Sequence, residues 1–271
     1  MKNFRLYCST INYYKVLETL PQHIFPVGLG DNIFPENWLI EKKGLNISHL
    51  NGYYAELTMF YWVWKNELKK LDKNDLVGTC QHRLLWLNEY YNEKQKYSVS
   101  NLYSKLLKRD NLILQKNDLI HLNGINYNKK NLYEDFCSLH DKEFLEHSIE
   151  YLPKEEREKF RVYLDKRLLY PMNMFITKVK YFEEYCSLIF PWLDKCFKFG
   201  QEKNLYKGYN KRLIAFLMER FSSYWFERFK SKSMLSYARL GEFHLSNKVN
   251  KFFPSIKLPF TFIQYPTISK Y

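Results

Sequence analysis

The chain of 271 residues is poor in glycine and proline, with nine of each, and has only five cysteines. So little Gly and Pro excludes collagen-like and linker-dominated architectures. Cys8, Cys80, Cys137, Cys186 and Cys196 form no C-x-x-C pair and share no metal-ligand spacing with the seven histidines, so they read as reduced core thiols of a cytosolic protein. No apolar run approaches the roughly 18 residues that cross a bilayer. Pieces such as SLIFPWL (187–193) and YPMNMFI (170–176) are far too short. The first residues, MKNFRLYCSTINYY, lack the apolar core and cleavage site of a secretory signal. Acidic residues are also scarce: 29 Asp and Glu face 42 Lys and Arg, a net charge of +13. Such an excess either attracts polyanions (nucleic acid, anionic lipid, phosphorylated small molecules) or reflects the nucleotide bias of a genome rich in Lys, Asn and Ile codons.

What is present is a core. Hydrophobic residues make up 46% of the chain and aromatic residues 18%, which excludes disorder. Phe4, Leu6 and Cys8 alternate with Arg5 and Tyr7 before Ser9-Thr10, predicting a strand that ends in a loop. A second strand is expected over His23–Leu29, closed by Gly28, Gly30 and Asp31-Asn32. Tyr53, Leu57, Phe60, Tyr61, Trp64, Leu68 and Leu71 recur at helical spacing, predicting one helix from Asn51-Gly52 onward. A buried strand follows over Asp75–Cys80 and ends in Gln81, His82 and Arg83. The Asn-, Lys- and Tyr-rich segment 88–150 reads as irregular and acceptor-facing. Pro153 with Glu155 and Glu156 starts a helix to about Leu169. Then come a strand over Met172–Thr177, a helix over Tyr181–Phe197 interrupted or kinked near Pro191, and a last helix over about Asn210–Phe229. Strands separated by helices, with no linker and no repeat, predict an α/β fold. The domain is placed at residues 1–230, with a basic-aromatic extension at 231–271 whose stretch from Lys248, KFFPSIKLPFTFIQYP, either packs on the domain or rests on an anionic membrane.

Three blocks resemble a known family. The first is Asn46-Ile47-Ser48, Asn51, Tyr53-Tyr54, Glu56-Leu57-Thr58, Tyr61-Trp62 and Trp64-Lys65-Asn66, similar to N-I-S-x-x-N-x-Y-x-x-E-L-T-x-x-Y-W-x-W-K-N. The second, Val77-Gly78-Thr79-Cys80-Gln81-His82-Arg83, is similar to V-G-L-C-H-Y-R-R. The third combines Asn173-Met174-Phe175-Ile176, Phe182, Tyr185-Cys186, Arg212, Phe216-Leu217 and Glu219-Arg220, with weaker support from Pro26 and Gly30. On these residues the chain resembles the bacterial surface-polysaccharide glycosyltransferases first catalogued as a domain of unknown function, whose members include a galactofuranosyltransferase of O-antigen assembly. It departs from the pattern where the family's D-D-x-G-D stretch reads Glu41-Lys42-Lys43-Gly44-Leu45, and at Gln81, His82 and Leu84.

The resemblance implies a single GT-A-like (Rossmann-like) domain and inverting transfer from a UDP-sugar, first UDP-galactofuranose or else another UDP-hexose. The acceptor would be a glycan or a lipid-linked sugar of capsule, O-antigen or lipopolysaccharide. In such a fold the nucleotide lies over the carboxyl ends of the strands, where Ser9, Thr10, Pro26 and Gly30 stand, ordinary turn chemistry being the alternative for each. The place of a metal-binding D-x-D is taken by Gln81-His82-Arg83, a poor site for hard cations. Metal-independent transfer is therefore favoured over Mg or Mn, with Arg83, helped by His82, on the diphosphate; the alternative is an Arg83 paired to a structural carboxylate. Asn46, Arg212 and, less firmly, Arg220 join the donor side, and Tyr54 lies off the apolar stripe as a ligand contact. Asn173 either bonds a sugar hydroxyl or caps its strand. For the base, Glu219 is preferred slightly over Glu56, which borders the apolar face of its helix. Asp75 reads as a turn or cap residue, and His140 and His147 as packing residues without a third zinc ligand. Two rival classes stay open: a catalytically decayed glycan- or nucleotide-sugar-binding module, and a nucleic-acid binder, which no helix-turn-helix, zinc-finger or RNA-recognition sequence supports. The expected site of action is the cytoplasm, at or near the inner membrane.

Overall fold

The computed structural model describes residues 3–88, 96–97, 104–235, 237–240 and 262–264. Strand β1 (Phe4–Thr10) pairs in parallel with β2 (Ile24–Gly28) on one side and β4 (Leu76–Gln81) on the other. β2 in turn pairs in parallel with β3 (Leu39–Ile40). Beyond β4 lies β10 (Phe175–Lys178), antiparallel to it, then β7 (Leu119–His121), and at the edge β11 (Lys232–Met234), parallel to β7. The sheet is thus mostly parallel, with β10 and, on the other flank of β4, β5 (Leu84–Trp86) reversed; β6 (Lys96–Tyr97) joins the same sheet, and β8 (Ile125–Asn126) pairs with β9 (Leu168–Leu169) in a separate ribbon.

Period-2 alternation buries both faces, as expected of a sheet covered by helices on one side and loops or strands on the other. Tyr7, Val27, Val77, Leu119 and Phe175 face one cluster; Leu6, Cys8, Ile24, Leu76, Cys80, Ile120 and Ile176 face the other. Gly78 belongs at the crossing of β1, β4 and β10, because a Cβ there would meet Ile176 Cγ1 at 2.5 Å. The first cluster is covered by α1 (Asn51–Tyr54), α2 (Leu57–Trp62), α4 (Leu132–Leu139), α5 (Lys142–Glu150), α6 (Lys154–Leu164), α7 (Val179–Glu202) and α8 (Leu213–Phe226). A short helix, α3 (Leu112–Lys116), precedes β7.

Several elements differ from expectation. The single helix from Asn51 is broken between α1 and α2, where Ala55 takes φ +50°, and α2 runs on into a π-helical turn (Val63–Glu67) and a 3-10 turn (Leu68–Lys70). Segment 104–150 is regular rather than irregular: Asn131 and Glu134 form a capping box on α4, and Asp141 caps α5. α7 continues through Pro191 as one element. The strand expected from Met172 begins only at Phe175, since Met172 and Asn173 have positive φ. Asp75 closes a turn, accepting from Asn3 N at 2.8 Å and Asp72 N at 3.0 Å. The 230/231 boundary falls just before β11, and the next strand, β12 (Tyr237–Leu240), pairs with β5 (Leu84–Trp86). Apart from Phe262–Gln264, which pairs with β12, the tail from Lys248 lies outside the described residues.

Candidate active site

The carboxyl ends of β1, β2 and β4 converge on a cavity of about 270 Å³. Ser9, Thr10 and Ile11 continue β1 into its wall, and Leu29 continues β2. β4 contributes Gln81 and then turns directly into β5, Gln81 pairing with Leu84, so that His82 and Arg83 form the tip of a two-residue hairpin. The opposite wall comes from the helix break: Asn51, Gly52, Ala55 and Glu56, with Arg212 beside them. The Asn51 amide fixes this break by donating to Ala55 O at 3.2 Å and Thr58 Oγ1 at 3.0 Å. The break at Ala55 leaves Glu56 at the N-terminal cap of α2, on the cavity wall.

Glu56 is anchored by a second built feature. The Asn173 amide donates to Glu56 Oε1 at 2.9 Å, and Arg212 Nη2 lies 3.8 Å from Glu56 Oε2. Asn173 is itself held in the left-handed region (φ +47°) by Ser222 Oγ donating to its Oδ1 at 3.2 Å and Thr79 Oγ1 donating to its carbonyl at 3.4 Å. The preceding Met172 (φ +76°) donates its N–H to Glu219 Oε1 at 2.8 Å and accepts from Gln81 Nε2 at 3.3 Å. Strained backbone that is over-determined in this way is found where a side chain must be aimed. Burial raises the Glu56 carboxyl above the ordinary carboxylate range, while Asn173 and Arg212 hold it down in part. Burial also raises Glu219, opposed by the Met172 N–H and the charge of Arg220. Glu219 is not among the cavity-lining residues, whereas Glu56 is. Of the two glutamates that the sequence offered, Glu56 is thus the one on the cavity wall.

Arg83 is exposed at the cavity mouth and forms no ion pair with any described residue. Arg220 is different. It is buried against Asp135, Nη2 to Oδ2 at 2.5 Å, with its guanidinium over the Phe136 ring, and takes no part in the cavity. His82 lines the cavity and stacks on Tyr14 at 5.0 Å. Burial, reinforced by the charge of Arg83, holds it down at about 4, so near neutral pH it offers a hydrogen bond and no charge.

Other expected site residues lie elsewhere. Tyr54 is buried, its hydroxyl donating to Leu193 O at 3.1 Å and its ring packed edge-on to Phe197. Asn46 organises its own loop, with Oδ1 accepting from Ser48 Oγ at 2.8 Å and Nδ2 donating to Gly44 O at 2.9 Å. Gly30 (φ +74°) stands behind the wall, its N–H donating to Glu41 Oε1 at 2.9 Å. Asn173 is 2% exposed with its amide directed at Glu56, so it positions a carboxylate instead of meeting a sugar. His140 and His147 pack on Phe216 and Phe199. Among the described residues no group of three or more His, Cys, Asp or Glu is placed to hold a metal ion, and all five cysteines are free.

Sequence reasoning missed Asn51 and Gln81 as wall residues and Glu41 as a buried anchor. The N-x-x-x-A-E spacing could have suggested Asn51, since an Asn one turn before a helix break is a common cap, and the place of Gln81 beside His82 and Arg83 at the strand end could have suggested Gln81; no local signal pointed to Glu41.

The family described as "Domain of unknown function (DUF4422)" matches residues 6–231. The chain belongs to this family. Its fold is similar to that of WbbM, a bifunctional glycosyltransferase whose apo structure superposes with a TM-score of 0.72 at 19% identity, covering 87% of this chain. The chain spans 45% of the length of that neighbour. The likeness establishes a GT-A-like architecture: a mostly parallel central sheet flanked by helices, with the cavity at the strand ends where such sheets bind ligands. No curated protein matches the chain.

Proposed function

We propose that this protein is an inverting glycosyltransferase that binds a nucleoside-diphosphate sugar in the β1–β2–β4 cavity and transfers the sugar to a hydroxyl of a glycan or lipid-linked acceptor. The observation that carries the proposal is the placement, on one cavity, of an arginine without an ion-pair partner among the described residues (Arg83) and a largely buried, oriented carboxylate (Glu56). Cation and base are the two things that this reaction needs on opposite sides of the anomeric carbon. The acceptor oxygen attacks that carbon and a C–O bond forms. The bond to the diphosphate oxygen breaks, and the nucleoside diphosphate leaves with the electron pair. Glu56 takes the hydroxyl proton; Arg83, with Arg212 nearby, neutralises the departing diphosphate. The raised affinity of Glu56 for a proton suits a base working near neutrality.

The family resemblance makes UDP-galactofuranose the first donor to try, and surface polysaccharide (capsule or O-antigen) the first context. In this scheme transfer is metal-independent. Activity undiminished in excess chelator supports it; complete loss restored by manganese overturns it. The test of the wider reading is a thermal-shift screen with UDP, other nucleotides and UDP-sugars. A native-state ligand stabilises by about 2.7 kcal/mol at a hundredfold excess over its Kd. Absence of any shift would sink the donor site. The loss of the family's acidic stretch at 41–45 favours, as the second reading, a binding module without turnover; release of UDP from any donor eliminates it.

A further inference from the structure

We infer that the rim of this cavity is a membrane-docking face whose partner is an anionic phospholipid surface. The inference rests on the transferase reading only for its purpose, the meeting of the cavity with a lipid-linked acceptor. Three loops leave the carboxyl ends of adjacent parallel strands: residues 11–13 after β1, 29–37 after β2 and 41–46 after β3. Each carries an aliphatic side chain turned to solvent: Ile11 is 50% exposed, Ile33 92% and Leu45 64%. Single exposed aliphatics are ordinary; three on the loops that follow three adjacent strands give this edge of the sheet an unusually apolar outer surface.

The loops are braced, so this exposure does not come from slack chain. Asn32 donates its side-chain amide to Ile11 O and to Asn12 Oδ1 at 3.0 Å, tying the first loop to the second. An ion pair between Lys42 and Asp31 ties the second to the third. Phe34 of the second loop and Trp38 just after it are buried and stack at 5.9 Å, and Asn66 holds Leu45 through both its N–H and its carbonyl. Around the patch stand exposed Lys42 and Lys43, Arg83 on the hairpin tip, and Lys211 and Arg212 across the mouth; the exposed acids on the same loops are Asp31 and Glu36. Aliphatic tips ringed by a cationic excess match an interface of anionic headgroups over acyl chains. They do not match single-stranded nucleic acid, which is gripped by aromatic stacking. Ile11 also lines the cavity, so docking would bring the mouth to the lipid surface.

The test is co-sedimentation of the full chain with vesicles of phosphatidylglycerol and phosphatidylcholine, against vesicles of phosphatidylcholine alone. The expected result is binding to the anionic vesicles, reduced about tenfold in an Ile33→Asp/Leu45→Asp double variant. Neither residue lines the cavity, so the nucleotide-induced thermal shift stays at its wild-type value and certifies the fold. Wild-type chain that ignores anionic vesicles, or a double variant that binds them as well as wild type, overturns the docking face. Vesicle binding without any nucleotide shift would instead strike the transferase reading and leave the docking face standing.

Discussion

Arg83 and Arg220 are the same side chain in opposite surroundings. Arg220 sits in the helical layer, 3% exposed, with Asp135 against its guanidinium, Phe136 beneath it and Phe216 O accepting at 2.9 Å. Arg83 stands at the strand-end edge with no described carboxylate beside it. The carboxylates divide in the same way. Glu146 and Glu156 in the helical layer are matched by Arg161 and Arg228, whereas Glu56 and Glu219 are buried near the cavity and pushed toward the neutral form. The helical layer satisfies its charges locally and supplies stability. The edge leaves Arg83 without a carboxylate among the described residues and holds strained backbone at Met172 and Asn173, which is the condition in which a ligand can be recognised.

The sharpest test of that division is Glu56→Gln. Turnover should fall by a factor of about 100 to 10,000 while donor binding, read by thermal shift, is retained. An equal loss in Glu219→Gln alone, with Glu56→Gln active, would move the base and break the geometric assignment. The same scheme fixes the sign of the pH profile. Glu56 must be ionised to act and its carboxyl is raised by burial, so kcat should fall on the acidic side at a pH above the ordinary carboxylate range. Asn173→Ala removes a hydrogen bond that lowers it, so the acidic limb should move to still higher pH. A merely structural role for Asn173 would reduce stability and leave that limb in place.

The paired arginines give the next contrast. Arg220→Met strands Asp135 in the interior and should cost about 3–5 kcal/mol. In a chain of this size that lowers Tm by roughly 2–4 °C per kcal/mol. Arg83→Met should change stability by no more than about 0.5 kcal/mol. Its effect should appear in nucleotide affinity, weakened about 10- to 100-fold by the loss of charge-assisted hydrogen bonds. If Arg83→Met proved as destabilising as Arg220→Met, the difference between the two regions would collapse.

How much of this was legible in the sequence depended on range. The alternation over Phe4–Cys8 and the compact Leu76–Cys80 run announce strands, since period-2 burial is a local property. That β4 would end in a cavity followed from its polar Gln81-His82-Arg83. The breaks were not legible. The aromatic stripe from Tyr53 to Trp64 has good helical spacing, yet tertiary packing forces Ala55 into positive φ and converts Glu56 from a flank residue into a wall residue. Tyr54 looked free because it lies off the stripe; Leu193 and Phe197, some 140 residues away, claim it. Choosing between Glu56 and Glu219 required the contact between residues 56 and 173, which no spacing encodes.

The smallest effect expected is also the one that separates recognition from stability at a single residue. Burial raises Glu219 above its unfolded value of about 4.3. A group raised in this way contributes stability that is full below the unfolded value and is lost as pH rises through the folded one. At pH 8 wild type must therefore either hold a buried carboxylate ionised or take up a proton from a basic solution, and both are unfavourable. Glu219→Gln keeps an oxygen to accept the Met172 N–H and removes the charge. It should gain about 0.5–1 kcal/mol at pH 8, the low end of single stabilising changes. The gain should shrink to nothing at about pH 3, well below the unfolded value, where wild type is protonated in both states. Thermal unfolding of both proteins across that range measures it. A variant less stable than wild type at pH 8 would mean that Arg220 and Arg212 keep Glu219 ionised at a profit, and Glu219 would then belong with the satisfied charges of the helical layer and not with the cavity edge.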